Sequence, residues 1–475
     1  MKKILSLFLV LTVFLSVLTA CGASPEEPEN SLPTVMRVGE SKVSQQEYNY
    51  TLYSNYVAFY NANISYVSYL GLGDKNTLKT QPCNVSEDFE TWADFFMQQT
   101  EEMLTQVYTF YNAAIADGMT LNEAYSRDLD AYMLEVQQIA EGEKQTADEF
   151  LSANYGAGMT EALYREFLTH RLLATQYCDE KLEAITYSDE KYEEYYKNNK
   201  ESLDKVTFRI FSMTEDHLPA DTSKDDAETV SAAVKDLAEL FAKDLTTEEE
   251  FIQRALAYAP EEDKESFKQD SATLAQNLSA DSFSEEMSAW LFDEARQKGD
   301  VTVLKTGETT YNICYFLSCG RDEYPLASMR HLLIQVTDKE GATDAEVKTK
   351  IQTLYDDWVA AGAKESEFAT LADTHTEDDG SKGSGGLYES FEKATMVPEI
   401  DNWLYADGRK VGDHEIIKTT YGYHIVLFMG YGNIAWKEVC YNAFQTEDYQ
   451  KLFEALAPQN EVAFEENYKD TVANG

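Results

Sequence analysis

At 475 residues the chain is too long for a single compact core, and about three domains are expected. Its 85 acidic against 39 basic side chains give a formal net charge of −46, which leaves no basic surface for nucleic acid and no electrostatic pull toward an anionic bilayer. Five cysteines beyond Cys21 (Cys83, Cys178, Cys314, Cys319 and Cys440) contain no CxxC, which argues against a disulfide framework, a dithiol redox centre and structural zinc; one disulfide among them stays open.

Residues 1–20 read as a leader. Lys2 and Lys3 form a positive start, Ile4 to Val17 is an apolar run too short to span a bilayer comfortably, and small residues precede Cys21. Leu18-Thr19-Ala20-Cys21 resembles a bacterial lipobox. The resemblance implies cleavage before Cys21, diacylglycerol on its sulfur and attachment to the extracytoplasmic face of the cell membrane. Two acyl chains hold firmly where one does not. Residues 21–34, GASPEEPENSLP and onward, are polar and Pro-rich, as a tether would be.

Residues 35–200 form a helical domain entered through a short strand pair at Val35–Ser44, turning at Gly39-Glu40. Helical periodicity covers 45–60, 86–117, 120–140, 146–154, 159–186 and 188–200. Phe89, Trp92, Phe96, Met103, Val107 and Phe110 recur at helical spacing, and Ser86-Glu87-Asp88, Thr120…Glu123 and Thr146…Glu149 are placed as helix starts. A short strand followed by aromatic-rich helices resembles the chaperone domain of PrsA-like and SurA-like foldases. The resemblance implies a client-binding surface, although most such aromatics are expected to pack the core.

The next 230 residues read as one α/β unit written twice, at 201–324 and 325–432. VTFRIFSM (206–213) aligns with SMRHLLIQ (328–335), and EEEFIQRALAYA with ESEFATLADTH. MSAWLFDEARQKGDVTVLKTGETTYNICYFL (287–317) aligns with IDNWLYADGRKVGDHEIIKTTYGYHIVLFM (400–429). Val230, Val234, Leu237, Phe241 and Leu245 form a helical stripe in the first copy, as Val347, Ile351, Leu354 and Trp358 do in the second. In this alignment Arg209 stands where the second copy has His331, and Asn312 where it has His424. The scaffold therefore does not require the histidines, which sit in apolar strands where a polar ring needs a reason.

RHLLI, FATLADTHTEDDGSKGSGGL, MVPEID and GDHEIIKTTYGYHIV, in that order, resemble the parvulin family of peptidyl-prolyl cis/trans isomerases. The resemblance implies an α+β fold of a four-stranded sheet with surrounding helices, no cofactor, no metal, and unfolded or partly folded secreted proteins with X–Pro bonds as clients. The first copy lacks the polar set and is expected to be degenerate. Residue by residue, the family's paired histidines fall on His331 and His424. Its polar Cys or Asp falls on Asp378 (or Asp379, one residue on), and its threonine on Thr419. Its proline-gripping methionine falls on Met396, with Leu333 and Phe391 beside it. Ile400 stands where many members place Phe, which leaves a smaller wall. Tyr388 replaces a glycine, and the Ser390-Phe391 segment is one residue longer than usual. Gly383, Gly385 and Gly386 are expected to let the loop backbone approach the client.

Little covalent chemistry is needed. Rotation about X–Pro is slow because the amide has partial double-bond character, with a barrier of ~20 kcal/mol. A site that favours the twisted amide lowers it. Other readings fare worse. Four histidines with Asp378 and Asp379 show no metal-ligand spacing. GSKGSGG is neither a nucleophile elbow nor a phosphate loop. No two-lobed doubly wound pattern suggests a solute-binding protein. His375 and His414 read as surface residues. Thr337–Asp344 holds one Lys339 among three acids, which predicts no preference for phosphorylated clients. Residues 433–475 are helical in pattern and, by the foldase resemblance, return to the N-terminal helices. The whole reads as a lipid-anchored foldase; a catalytically inactive holdase on the same scaffold is the alternative. Client identity and oligomeric state have no sequence signal.

Overall fold

The structure, a computed structural model, describes residues 32–219, 222, 226–336 and 343–471. The leader, Cys21, most of the tether and Lys339 lie outside the described residues. The chain divides into two compact units: one runs to Thr186 and resumes at Ala443, and the other is Tyr187–Asn442.

In the first unit, strands Thr34–Val38 and Ser41–Ser44 pair antiparallel, and Val462–Phe464 adds on the outer side of Thr34–Val38. Gly39 makes the turn at φ +58°. Ser44 then caps helix Gln45–Ala62, its side chain accepting from the Glu47 N–H at 3.2 Å. Helices Trp92–Ala116, Glu123–Gly142, Ala147–Tyr155 and Glu161–Glu183 follow. The helix expected from residue 86 begins at Trp92. Thr91 and Asp94 form the capping box, whereas Ser86 and Asp88 bond only to each other in a local turn. Likewise Asn122, not Thr120, caps the next helix. Thr146 and Glu149 form the box expected of them. Tyr48, Tyr53, Tyr56, Trp92, Phe96, Tyr108 and Phe110 fill one core. Tyr449, in helix Ala435–Leu456, packs against Phe110 with the rings tilted and 5.2 Å between centroids. The two most exposed aromatics of this unit instead follow the first helix, where Tyr66 and Tyr69 are 66% and 87% exposed near Ile64.

The second unit contains two four-stranded antiparallel sheets of one topology. In the first copy the order is Leu274–Leu278, Lys205–Met213, Tyr311–Gly320, Val301–Lys305. In the second it is Leu387–Phe391, Pro325–Gln335, Gly422–Ile434, His414–Lys418. Period-2 alternation gives each central strand two apolar faces. One packs on two helices. Phe211, Met213, Val230, Val234, Phe241, Phe251 and Ala255 in the first copy answer Leu332, Ile334, Val347, Ile351, Trp358, Phe368 and Ala372 in the second. Covering a side chain such as Phe251 or Phe368 contributes about 2–3 kcal/mol. The other face packs on a short helix: Phe208, Met287, Leu291, Leu304 and Phe316 answer Met329, Ile400, Leu404, Ile417 and Phe428.

This correspondence corrects the aligned strands by one residue. Cys314 pairs with Ile210 as Val426 pairs with His331. Arg209 is therefore the counterpart of Arg330, not of His331. Both arginines reach the first residue of a helix: Arg209 to Glu248 at 2.8 Å and Arg330 to Glu365 at 3.1 Å. A one-residue slip moves every side chain to the opposite face, and only the position of Ile210 faces the short helix as His331 does. The histidine is thus replaced by an aliphatic residue.

All five described cysteines are free thiols.

Candidate active site

The site is built on the two central strands of the second copy. Their register sets His331 opposite Val426 and His424 opposite Leu333, so the imidazoles are diagonal neighbours on the face away from the two helices. Both are buried, at 5% and 4% exposure. The rings stack with 5.5 Å between centroids and a 17° tilt, and the Nδ1 atoms approach to 3.3 Å.

At the other end of the His331 ring, Nε2 lies 2.9 Å from Asp378 Oδ2. That oxygen also accepts from the Ser381 and Tyr388 hydroxyls, the latter at 3.1 Å. Asp379 is exposed, and of the two acids it is Asp378 that meets His331. At the far end, His424 Nε2 lies 2.9 Å from Thr419 Oγ1, which accepts from the Tyr421 N–H at 3.1 Å.

With both imidazoles neutral, these contacts admit one consistent set of hydrogens. An ionised Asp378 only accepts, so His331 donates through Nε2 and accepts at Nδ1. His424 then donates through Nδ1 and accepts the Thr419 hydroxyl at Nε2. The result is an unbroken lane, Thr419 to His424 to His331 to Asp378. The electrostatics agree. The His331 hydrogen bond, with those of Ser381 and Tyr388, holds the Asp378 carboxyl well below the usual carboxylate range against partial burial. Burial first, and the neighbouring His331 second, push His424 down to about 4, so its ring is neutral at pH 7.

The loop behind the lane is tightly fixed. The Thr376 hydroxyl accepts from the Leu333 and Asp378 N–H groups, both at 3.2 Å, tying the Asp378 loop to the His331 strand. Gly386 accepts the His331 N–H at 2.8 Å through its carbonyl. Any Cβ on Gly386 would lie 2.1 Å from the His331 carbonyl oxygen, and one on Gly385 2.6 Å from Ala369 Cβ. These two glycines allow the loop to pack closely on the strand.

Of the expected wall, Met396 is half-buried at the surface, while Phe391 and Ile400 lie in the cluster beneath it and Leu333 is 6% exposed beside His424. His414 is half-buried rather than superficial: Trp358 and Tyr355 enclose its ring, and Tyr355 bonds its Nδ1 at 2.9 Å. His375 is half-buried at a helix end. Neither joins the lane. Ser381 and Thr376 are the polar residues that sequence reasoning passed over, and Tyr388, noted only as a departure from glycine, also bonds Asp378. Ser381 is fully buried and its hydroxyl is committed to Asp378, so the Ser381, His331 and Asp378 trio offers no accessible nucleophile.

Residues 331–430 match the family model described as a PPIC-type PPIASE domain. The second copy is a PPIC-type rotamase domain. The chain is 34% identical over 103 residues to foldase protein PrsA 3 of Bacillus cereus, covering 22% of this chain and 30% of that protein. It is 26% identical over 157 residues to foldase protein PrsA 1 of Listeria innocua, covering 33% of this chain and 46% of that one. The chain thus spans between 30% and 46% of the length of these relatives. The crystal structure of PrsA from Bacillus subtilis aligns at 14% identity over 81% of this chain and 95% of that one, with a TM-score of 0.28, too low to bear on the arrangement of the units.

Proposed function

We propose that the chain is a foldase of the extracytoplasmic face, held by lipid on Cys21, whose rotamase domain isomerises X–Pro bonds in unfolded or partly folded secreted proteins. The observation that carries this reading is the buried lane from Thr419 through His424 and His331 to Asp378, on the same sheet face as Met396 and its supporting cluster. Among the described residues no helix is long and apolar enough to cross a membrane.

In this reading the proline ring rests against Met396, with Phe391 and Ile400 as backing and Leu333 at its side. The reacting amide lies over the imidazole pair. A planar amide is the more polar state, and a dry, neutral surface disfavours it relative to the twisted one. His331 and His424 supply that surface because neither ring is free to turn: each nitrogen has a partner. Asp378 and Thr419 set the tautomers, and no bond to the client is made or broken. Lowering the barrier by ~4 kcal/mol gives about a thousandfold. The acids flanking Asp378 (Glu377 and Asp379) suit unphosphorylated clients. Exposed Ile64, Tyr66 and Tyr69 are the apolar side chains of the first unit best placed to hold unfolded chains.

The test is an isomerisation assay on the mature chain with Cys21 replaced, using a proline tetrapeptide. The expected result is a rate above buffer that falls about tenfold or more in His424→Ala. Buffer rates for both proteins reject the isomerase reading. Suppressed client aggregation in that case establishes the holdase reading instead.

A further inference from the structure

The first copy has lost the lane but not the groove. A cavity of about 780 Å³ opens on its short-helix face, lined by Phe283, Met287, Thr306 and Asn312. By the strand register and the aligned helix these are the counterparts of Met396, Ile400, Thr419 and His424. With Ile210 in the place of His331 and Asn312 in that of His424, no hydrogen-bond lane can form there. The wall is larger than in the rotamase copy: half-buried Phe283 packs edge-on to Phe208 at 5.7 Å, and Met287 backs it. Asn312 accepts the Ser212 hydroxyl at 2.8 Å through Oδ1, which leaves its Nδ2 to donate.

A second cavity, about 1190 Å³, shares Phe283, Glu285 and Ala289 with the first and continues past Phe292 and Glu294. The groove therefore passes on both sides of one aromatic side chain. Exposed Glu285 and Glu286 stand on its rim and outnumber Lys305, the one basic residue lining the first cavity.

We propose that this groove is a second, non-isomerising docking site for extended polypeptide, with an apolar side chain seated against Phe283 and Met287 and flanking Lys or Arg residues against Glu285 and Glu286. An aromatic wall supplies area at low entropic cost, an amide donor suits a backbone carbonyl, and the acidic rim selects basic flanks. The inference stands whether or not the second copy isomerises.

The test uses the full mature chain and a twelve-residue, proline-free peptide with a central photoreactive benzoylphenylalanine between lysines. Adducts mapped by mass spectrometry are expected on residues 283–292. They should fall about fivefold or more when the lysines of the peptide are changed to glutamates, and equally in Glu285→Lys/Glu286→Lys, whose exposed positions leave the core untouched. Adducts confined to the neighbourhood of Met396, or insensitive to both charge reversals, overturn the proposal.

Discussion

The Nδ1 atoms of His331 and His424 lie 3.3 Å apart, and the hydrogen between them can belong to only one ring. With that hydrogen on His424 Nδ1, a second proton on His424 goes to Nε2 and displaces the hydrogen bond the ring accepts from the Thr419 hydroxyl. In the folded chain His424 takes that proton only below about 4, whereas an unfolded histidine takes it below about 6.5. Between these values the unfolded state binds more protons. Stability therefore falls as pH is lowered from about 6.5 to about 4, and gains nothing from this residue above 6.5. The loss by pH 4 is on the order of 3 kcal/mol. Denaturant titrations at pH 7 and pH 4.5 should show a smaller loss in His424→Asn than in wild type. An equal loss in both rejects the assignment.

Tyr388 stands where the parvulin pattern has glycine, yet it is fitted into the site. Its hydroxyl donates to Asp378, its ring meets His331 edge-on at 5.1 Å, and a Cβ on Gly380 would press its hydroxyl at 2.8 Å. Losing one of three donors to a carboxylate costs about 1 kcal/mol. Tyr388→Phe should lower kcat/KM about fivefold, and its acid limb should move to higher pH because Asp378 is less well held. An unchanged rate and profile would show that the hydroxyl has no positioning role.

Gly386 and Gly383 offer a matched pair. Both have positive φ, but a Cβ on Gly383 meets nothing within 4 Å, while one on Gly386 strikes the His331 carbonyl. Gly383→Ala should cost about 1 kcal/mol. Gly386→Ala should cost well over that and abolish isomerisation, because the strand bearing His331 must shift. Urea midpoints and the tetrapeptide assay measure the two effects, and similar costs would contradict the packing described.

The two strand-to-helix arginines should separate by burial. The Arg209 side chain is 4% exposed against Glu248 at 29%, whereas Arg330 and Glu365 are 15% and 51% exposed. Arg209→Ala should cost about 3 kcal/mol. Arg330→Ala should cost about 1 kcal/mol. The second variant should lose more activity, because Arg330 Nη1 also donates to the Ser384 and Gly385 carbonyls behind Asp378. Thermal unfolding together with kinetics tests this inversion.

Much of this was legible in the sequence because burial leaves periodic marks. The duplicated fold showed in apolar residues recurring at 2 and 3.6, and the histidines stood out as polar rings in apolar strands. The one-residue slip between copies was invisible because Arg209 and His331 are both polar interruptions in β-branched or Leu-rich runs; only register separates them. Ser381 and Thr376 left no mark because a loop hydroxyl that bonds a carboxylate or a backbone N–H obeys no spacing rule, and Tyr388 stood out only as a departure from glycine. The start of helix Trp92–Ala116 was misplaced because Ser86 and Thr91 both precede an acid, and only Thr91 turns it into a cap.

The alternation of the central strands has a further consequence. Residues that secure each sheet on its helices occupy one parity, and residues that define the groove occupy the other. Chemistry can thus be exchanged without disturbing the helical core, and the chain holds the outcome of such an exchange beside its counterpart. Installing imidazoles by Ile210→His and Asn312→His would ask how little of the lane must be added before an inherited shape becomes a working catalyst.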